Sequence, residues 1–491
     1  MDVMIPLDRE SPVPLSHQIY HELRRAIVGS ELPAGARLPS TRELARQLGV
    51  ARFTVDDAYA RLAAEGYVAG RRGSGTYVAD HVQLRETENG DSPPSRPVER
   101  RLSAWSRRLP SSPDEIVAQR VTGDEIRFMT GMPALDAFPW TVWQRLIGRA
   151  ARDQSIATRS YTNPAGLLSL REEITAYLAR SRGLRCTADQ IVITSGVQQS
   201  MDVTIRLLVD PGDSVGIEDP SYRRVRKLMV AAGAEVVPLP VDANGLNPKS
   251  LPRDGTPPKL IYTTPSHQYP TGAILPLNRR LDLLAWSDTT GTVIVEDDYD
   301  GELRYDARPV PALAGLARER HGVDNVIYTG SFSKVLFPAL RLGYAVLPRD
   351  LVTPYRRVRA AIDWHPSTLA QATVAAMIGE GHFERHLARM RRLYATRHAA
   401  TIAAIERHLA GLVSLDHESA PAGLHLLVRV HSSRPEAEIV QRAADHGVVV
   451  VGAGPCYITP PDEPHLLIGF AGTPTEHIDE GIARLARALG A

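Results

Sequence analysis

Residues 81–122 break the chain in two. The stretch RETENGDSPPSRPVERR (85–101) is polar, carries three prolines and shows no apolar periodicity. That is the composition of an exposed linker, not of a packed element. A structureless loop this long is uncommon inside a compact domain. The expected organisation is a domain at 1–80, a flexible linker at 81–122 and a second domain at 123–491. A chain of 491 residues is in any case too long for one core.

Composition then removes several classes. Hydrophobic residues at 43% and charged residues at 23% exclude wholesale disorder. Lys+Arg number 57 against 56 Asp+Glu, which excludes an obligate polybasic protein but leaves local patches open. Cys186 and Cys456 are the only cysteines. They exclude a disulfide framework and a cysteine-based zinc site, and they fit a reducing cytoplasm. No metal site is expected. The opening MDVMIPLDRESP lacks the cationic and apolar segments of a secretory signal. No apolar run reaches the roughly 20 residues of a membrane span. The expectation is a soluble, cytoplasmic protein with no membrane partner.

In the first piece, Leu15, Ile19, Leu23 and Ile27 recur every four residues, one face of a helix. After LPAGARLP, Ser40 and Glu43 in S-T-R-E precede an apolar run, the pattern of a capping box. That second helix ends near Gly49, and a short turn leads to a third whose core face is Val55, Ala58, Tyr59 and Leu62. YVAGRRGSGTYV then reads as two short strands joined by a basic, Gly-rich turn. The order predicts a winged helix-turn-helix. Residues 13–78 hold nine arginines against six acids, a modest excess, so position matters more than the sum. Arg52 and Thr54 open the third helix on the face away from Val55 and Tyr59, where recognition helices meet base edges. Arg42 starts the second helix, within reach of phosphate. Arg71 and Arg72 sit in the wing turn, suited to a minor groove or backbone. Double-stranded DNA is the expected partner. A small helical domain with a solvated basic face is the plainer alternative.

In the second piece, short apolar strands alternate with helical runs: 191–196, 214–219, 259–264, 292–298, 325–330 and 342–347, with helices at 197–209 and 221–232 among them. This predicts an α/β fold on a mostly parallel sheet. Ligands of such sheets bind beyond the carboxyl ends of the strands. There the first strand runs through Ser195 and Gly196 into a helix starting at Val197 and Gln198, whose free N–H groups suit a phosphate. The fourth ends in Glu296-Asp297-Asp298-Tyr299-Asp300, the fifth in Ser331-Phe332-Ser333-Lys334, with Arg341 following. Lysine stands only at Lys227, Lys249, Lys259 and Lys334. An amine condenses with an aldehyde, which a guanidinium cannot do. A carboxylate could pair with a pyridinium nitrogen. Aldehyde, pyridine nitrogen and phosphate together describe pyridoxal 5′-phosphate (PLP).

Two resemblances sharpen this. PSTRELARQLGVARFTVDDAYARLAAEGYV and the closing GSGTYV resemble the DNA-binding domain and wing of GntR-family bacterial regulators. From about residue 123 onward the chain resembles a fold-type I, class I aminotransferase. SFSKVLFPALRLGY resembles that family's Schiff-base segment, which implies that Lys334 carries PLP and that Ser331 and Arg341 bind its phosphate. Ser333, Val197 and Gln198 belong to the same implied cofactor site. EDDYD implies Asp297 at the pyridine nitrogen and Tyr299 at O3′; DPSY implies that Tyr222 stacks on the ring. YTNPAGLLSLREEI implies that Tyr161 reaches the partner subunit's phosphate, hence a homodimer. Helices near 381–409 and 475–489 would build a smaller α+β subdomain. The fusion as a whole resembles the MocR/GabR group of regulators.

Two positions depart from the aminotransferase pattern. Tyr269-Pro270-Thr271-Gly272 stands where Asn-Pro-x-Gly is usual, so O3′ would be held by Tyr299 alone or with His267 or Gln268. HLLIGF (465–470) places Leu467 near the position of the arginine that grips a substrate α-carboxylate. Arginine does so through two parallel charge-assisted hydrogen bonds, which leucine lacks. The sequence therefore predicts a PLP-dependent transcriptional regulator that senses PLP, an amine or an amino acid, without physiological turnover. The alternative is an active class I/II aminotransferase carrying a DNA-binding domain.

Overall fold

The four-residue apolar spacing of the first segment becomes helix α1, Leu15–Val28, with Ile19, Leu23 and Ile27 buried. Helix α2, Thr41–Leu48, starts on Ser40, whose hydroxyl accepts the Glu43 N–H at 3.2 Å. It stops at Gly49, in the left-handed region at φ 62°. The Arg9 guanidinium covers the last carbonyls, donating to Leu48 and Gly49. Helix α3, Arg52–Ala64, buries Val55, Ala58, Tyr59 and Leu62, the face read from the sequence. Strands β1, Val68–Arg71, and β2, Gly75–Val78, pair antiparallel as the wing, with Arg71 opposite Gly75. Leu32, Leu38, Val68 and Val78 close the same core. Each fully buried leucine here contributes about 1.5–3 kcal/mol, so Leu62→Ala would loosen the seat of α3 directly.

The structure is a computed structural model that describes residues 5–71, 73–80, 101–109, 124–153, 155, 159–252, 256–305, 310–319, 324–415 and 422–490. Residues 81–100 and 110–122 of the predicted linker, and Arg72 of the predicted wing turn, lie outside the described residues. The chain divides into two units, Met1–Arg101 and Leu102–Ala491. Ala104–Arg108 forms a short helix in the second unit, packed against the helix Arg223–Ala232.

The second unit opens with a short strand, β3 (Ile126–Arg127). Its main sheet follows the apolar runs. The strands are β4 (Ile191–Thr194), β5 (Ser214–Asp219), β6 (Glu235–Asp242), β7 (Gly245–Leu246), β8 (Leu260–Thr263), β9 (Val293–Asp298), β10 (Val326–Ser331) and β11 (Gly343–Val346). Their spatial order is β4-β11-β10-β9-β8-β5-β6-β7. Strands β10, β9, β8, β5 and β6 run parallel; β11 is antiparallel to both its neighbours, and the two-residue β7 only extends the far edge. Sequence reasoning missed β6 because half-exposed EVVPLPVD, with two prolines, lacks the look of a buried strand. Helices cover both faces, so Val192, Ile217, Ile261, Val295 and Ile327 are essentially inaccessible.

A smaller antiparallel sheet carries the C-terminal part. Strands β12 (Val413–Leu415), β13 (Leu426–Val430), β14 (Val448–Val449), β15 (Val451–Gly452) and β16 (His465–Ile468) follow in the chain; β12, β13, β16 and β15 form the sheet, and β14 pairs with β3. Helices His382–His408 and Thr475–Leu489 pack together beside it, at the positions expected from the sequence. The expected α/β domain with a smaller α+β subdomain is the architecture observed.

Candidate functional site

In the first unit, Arg42, Arg52 and Arg71 are exposed and Thr54 is half-buried. Arg52 and Thr54 sit in the first turn of α3 and Arg42 in the first turn of α2, as expected. Arg52 is turned to an exposed ion pair with Asp56, 3.4 Å away, one helical turn on. Exposed pairs of this kind are weak and break readily for a better partner. Arg71 lies over the Tyr77 ring at 4.7 Å and approaches Asp80 at 3.6 Å.

In the second unit the chemistry collects beyond the carboxyl ends of the parallel strands. Lys334 leaves β10 through a tight segment in which the Ser331 hydroxyl accepts the Ser333 N–H at 3.2 Å. The Lys334 amine donates to the carbonyl of Gly131 at 3.1 Å. Burial lowers its pKa below the usual lysine value; Asp300 and Asp297 oppose this, and Arg224 and Arg341 reinforce it. A nucleophilic amine benefits from that balance, since the neutral form is the reactive one.

Strand alternation sorts the acidic run EDDYD. Glu296 and Asp298 serve the structure. Glu296 accepts the Leu313 and Ala314 N–H groups at the start of the helix Leu313–Glu319. Asp298 meets the fully buried Arg182 at 2.5 Å and the Tyr328 hydroxyl at 2.6 Å. Asp297 points elsewhere. Its Oδ2 accepts the Tyr262 hydroxyl at 2.5 Å, and its buried Oδ1 has no hydrogen-bond partner among the described residues. Burial first, then Asp298 and Asp300, push its pKa up to about 7, while the Tyr262 hydrogen bond and Lys334 pull it down. A buried carboxylate oxygen without a donor is costly unless a donor arrives. A pyridinium N–H is such a donor, so the residues present fit PLP on this count.

The remaining predicted residues frame the same space. The Tyr222 ring meets Tyr269 edge-on at 5.9 Å, and Tyr222 lies within the electrostatic reach of Asp297 and Arg341. The Tyr299 hydroxyl is 3.0 Å from His267 Nδ1, which is also 2.9 Å from Asp300 Oδ2. Of the two residues offered as helpers to Tyr299, His267 touches it; Gln268 is committed to Pro220, Tyr269, Glu218 and Thr271 in its own turn. Val197 and Gln198 open the helix Val197–Leu208 behind Gly196, which adopts φ 106°. Gly343 faces both Ser331 and Thr194 across its neighbours, and a Cβ there would meet Gly330 O at 2.8 Å and Gly196 Cα at 2.9 Å. That close approach brings the helix start and the Ser331 segment together. Arg341 is exposed, with φ 50°.

Tyr161 stands apart from this group within its own chain. It is 85% exposed, with its ring 6.4 Å from that of Trp364. Leu467 is buried in an apolar cluster with Leu427, Ala453 and Cys456, against which Tyr269 packs. The loop before it is stapled to the end of β5: Asp219 accepts the Ile458 and Thr459 N–H groups, and Arg226 donates to the carbonyls of Pro455 and Tyr457.

Sequence reasoning missed Gly131, Tyr262, Asp300, Arg224 and Gly343. Tyr262 was the most accessible of these. It lies on the strand next to Asp297, but the strand order needed to see that was not legible. Gly131 lies about two hundred residues from the lysine it receives, and no local signal marks it. Among the described residues, no helix is long and apolar enough to cross a membrane, and no group of three His, Cys, Asp or Glu side chains could hold a metal ion.

Comparison with known proteins matches each of the two units to a family. Residues 15–78 match the family of bacterial regulatory proteins, gntR family. Residues 134–485 match the family Aminotransferase class I and II. The chain is 38% identical to the probable rhizopine catabolism regulatory protein MocR of Rhizobium meliloti, covering 99% of this chain and 96% of that one. It is 30% identical to the pyridoxine biosynthesis transcriptional regulator PdxR of Corynebacterium glutamicum, covering 91% and 90%. Among solved structures, the α-aminoadipate aminotransferase LysN of Thermus thermophilus superposes with a TM-score of 0.71 at 28% identity, covering 79% of this chain and 97% of that one. With a gntR-family helix-turn-helix, an aminotransferase class I and II domain and relatives that match from end to end, the chain belongs to the MocR-type transcriptional regulators.

Proposed function

We propose that this protein is a PLP-dependent transcriptional regulator that binds promoter DNA through its winged helix and senses PLP or an amino compound in its second domain. The observation that carries the reading is that the half-buried Lys334, set against Gly131, lies within electrostatic reach of Asp297, whose buried Oδ1 has no hydrogen-bond partner among the described residues. In it Lys334 holds PLP covalently, Asp297 takes the pyridine N–H, and Tyr299 faces O3′ with His267 behind it. Tyr222 covers the ring, and Ser331, Ser333, Arg341 and the N–H groups at Val197 and Gln198 take the phosphate. When bound, PLP supplies an aldehyde that exchanges one amine for another. The chain's own part is to orient the ring, to release Lys334 and to hold its proton.

Tyr161 completes the partner's phosphate site in a homodimer, which accounts for an aromatic left 85% exposed on one chain. Residues 81–122 serve as the linker between the domains, anchored on the second by the helix Ala104–Arg108. Arg52 and Thr54 read bases, Arg42 holds phosphate, and Arg71 and Arg72 serve contact with a minor groove or the DNA backbone. The protein works in the cytoplasm, where its DNA is. The relative PdxR is, by its name, a regulator of pyridoxine biosynthesis, which favours PLP itself as one candidate effector.

The second reading, a working aminotransferase, meets the buried apolar surroundings of Leu467. Leucine there lacks the two parallel donors with which an arginine orients an α-carboxylate. A spectral titration of the purified protein with PLP, amines and amino acids, run beside a turnover assay, tests both. The regulator reading expects cofactor binding and spectral change without sustained turnover. Rapid transamination of a standard amino-donor and keto-acid pair would replace it with the second.

A further inference from the structure

The first turn of α3 carries one side chain that the fold does not use. Phe53 is 80% exposed, the most exposed large hydrophobic residue among the described residues of its unit. Val55 faces the core, and at about 100° per residue Phe53 points almost directly away from it. The tyrosines of the same unit are all engaged. Tyr20 donates to Glu65, Tyr59 to the Pro39 carbonyl, Tyr67 receives the Arg24 guanidinium, and Tyr77 meets Ser74 under Arg71. Phe53 has no polar atom to offer water. Arg52 precedes it in the same helical turn, and α2, which packs against α3, carries the exposed Arg42 and Arg46.

An apolar ring set among exposed arginines suits a polyanion that presents an apolar spot. Duplex DNA does this in one way. In the major groove the thymine C5-methyl is the apolar group among donors and acceptors, and Phe is one of the side chains that contacts it. We infer that Phe53 reads the methyl group of a thymine beside the base edge met by Arg52, so that α3 combines one charged and one apolar contact in its first turn. The inference rests on α3 being the helix that enters the groove. It adds a determinant of sequence preference that the charge pattern alone does not supply.

Deoxyuridine differs from thymidine at that carbon only by the missing methyl. The test uses the full-length protein and a binding site obtained by selection from random duplex DNA, with each thymine of a half-site replaced in turn by deoxyuridine. At one thymine, the wild-type protein should lose about fourfold in affinity, the worth of one buried methyl. Phe53→Ala should bind the two duplexes equally, and Phe53→Leu should keep part of the discrimination. The thermal midpoint of Phe53→Ala should match the wild type, since the ring is solvent-exposed. Wild-type protein indifferent to every replacement would overturn the inference. So would a Phe53→Ala variant that discriminates as well as wild type, or one that melts early with the discrimination intact, which would place the ring against protein. Failure of the selection to yield any site would overturn the docking of α3 itself, and this inference with it.

Discussion

Replacing Asp297 by Asn should stabilise the protein without PLP and weaken the complex with it. In the PLP-free protein the carboxyl is buried, one oxygen has no donor, and its pKa rises from the ordinary 3.8 to about 7. A folded-state pKa above the unfolded one means that the folded state binds the proton more tightly. The group's favourable contribution is then fully present below the unfolded value and is lost as pH rises through about 7. A rise from 3.8 to about 7 corresponds to roughly 4 kcal/mol. Asparagine keeps the shape, can still accept from Tyr262, and does not ionise. The stability gap in favour of Asp297→Asn should therefore open between about pH 4 and 8, reaching roughly 4 °C in thermal midpoint for a domain of this size. With PLP present the order reverses. The charge-assisted hydrogen bond from the pyridinium is worth about 1.5–3 kcal/mol, so the variant should bind PLP roughly 10- to 100-fold more weakly. The assay is a pair of melting series from pH 4 to 8, with and without PLP, on both proteins. A gap that does not change with pH, or equal PLP affinities, would refute the reasoning.

Lys334→Ala should abolish the covalent attachment of PLP that borohydride reduction makes permanent, so that the cofactor is released on denaturation; PLP that stays attached to the reduced variant would assign the covalent link elsewhere. Arg52→Ala should cost roughly 1–3 kcal/mol of discrimination between specific and altered sites if it meets a base edge, measured by competition binding. Arg71→Ala should weaken binding to all duplexes and flatten the salt dependence, since a phosphate contact releases counterions without regard to sequence. Tyr161→Ala should lower PLP affinity in a protein that still sediments as a dimer, and a wild-type monomer with full PLP occupancy would contradict the shared site. Turnover of common α-amino acids should stay slow, as followed by keto-acid formation, if Leu467 leaves the carboxylate unclamped.

Much of this was legible in the sequence because the signals were local. Ser40, Gly49 and the core face of α3 fix the helix-turn-helix within about thirty residues, and each is a short-range matter of capping or periodicity. The parallel strands were legible as apolar runs, and Lys334 stood out by its chemistry. What was not legible depends on strand order and on close approach between distant segments. Tyr262 beside Asp297, Gly131 under Lys334 and the Gly343–Gly196 contact join parts of the chain that only the assembled sheet brings together. The acidic run shows the same limit from the other side. The fold shows how its acids are used: Asp298 is taken by Arg182 and Glu296 by a helix start, while Asp297 Oδ1 has no hydrogen-bond partner among the described residues.

The central claim is that the state of the Lys334 pocket and the grip on DNA are coupled. Linkage requires the coupling to be reciprocal, and coupled sites typically change each other's affinity by about 5- to 150-fold. The direct measurement is the dissociation constant for one selected DNA site, at fixed salt, of the protein free of PLP, loaded with PLP, and loaded and then exposed to an amine that displaces Lys334. The account predicts that at least one of these states differs from the others within that range, and that Lys334→Ala removes the response to the amine. Three equal dissociation constants would contradict it.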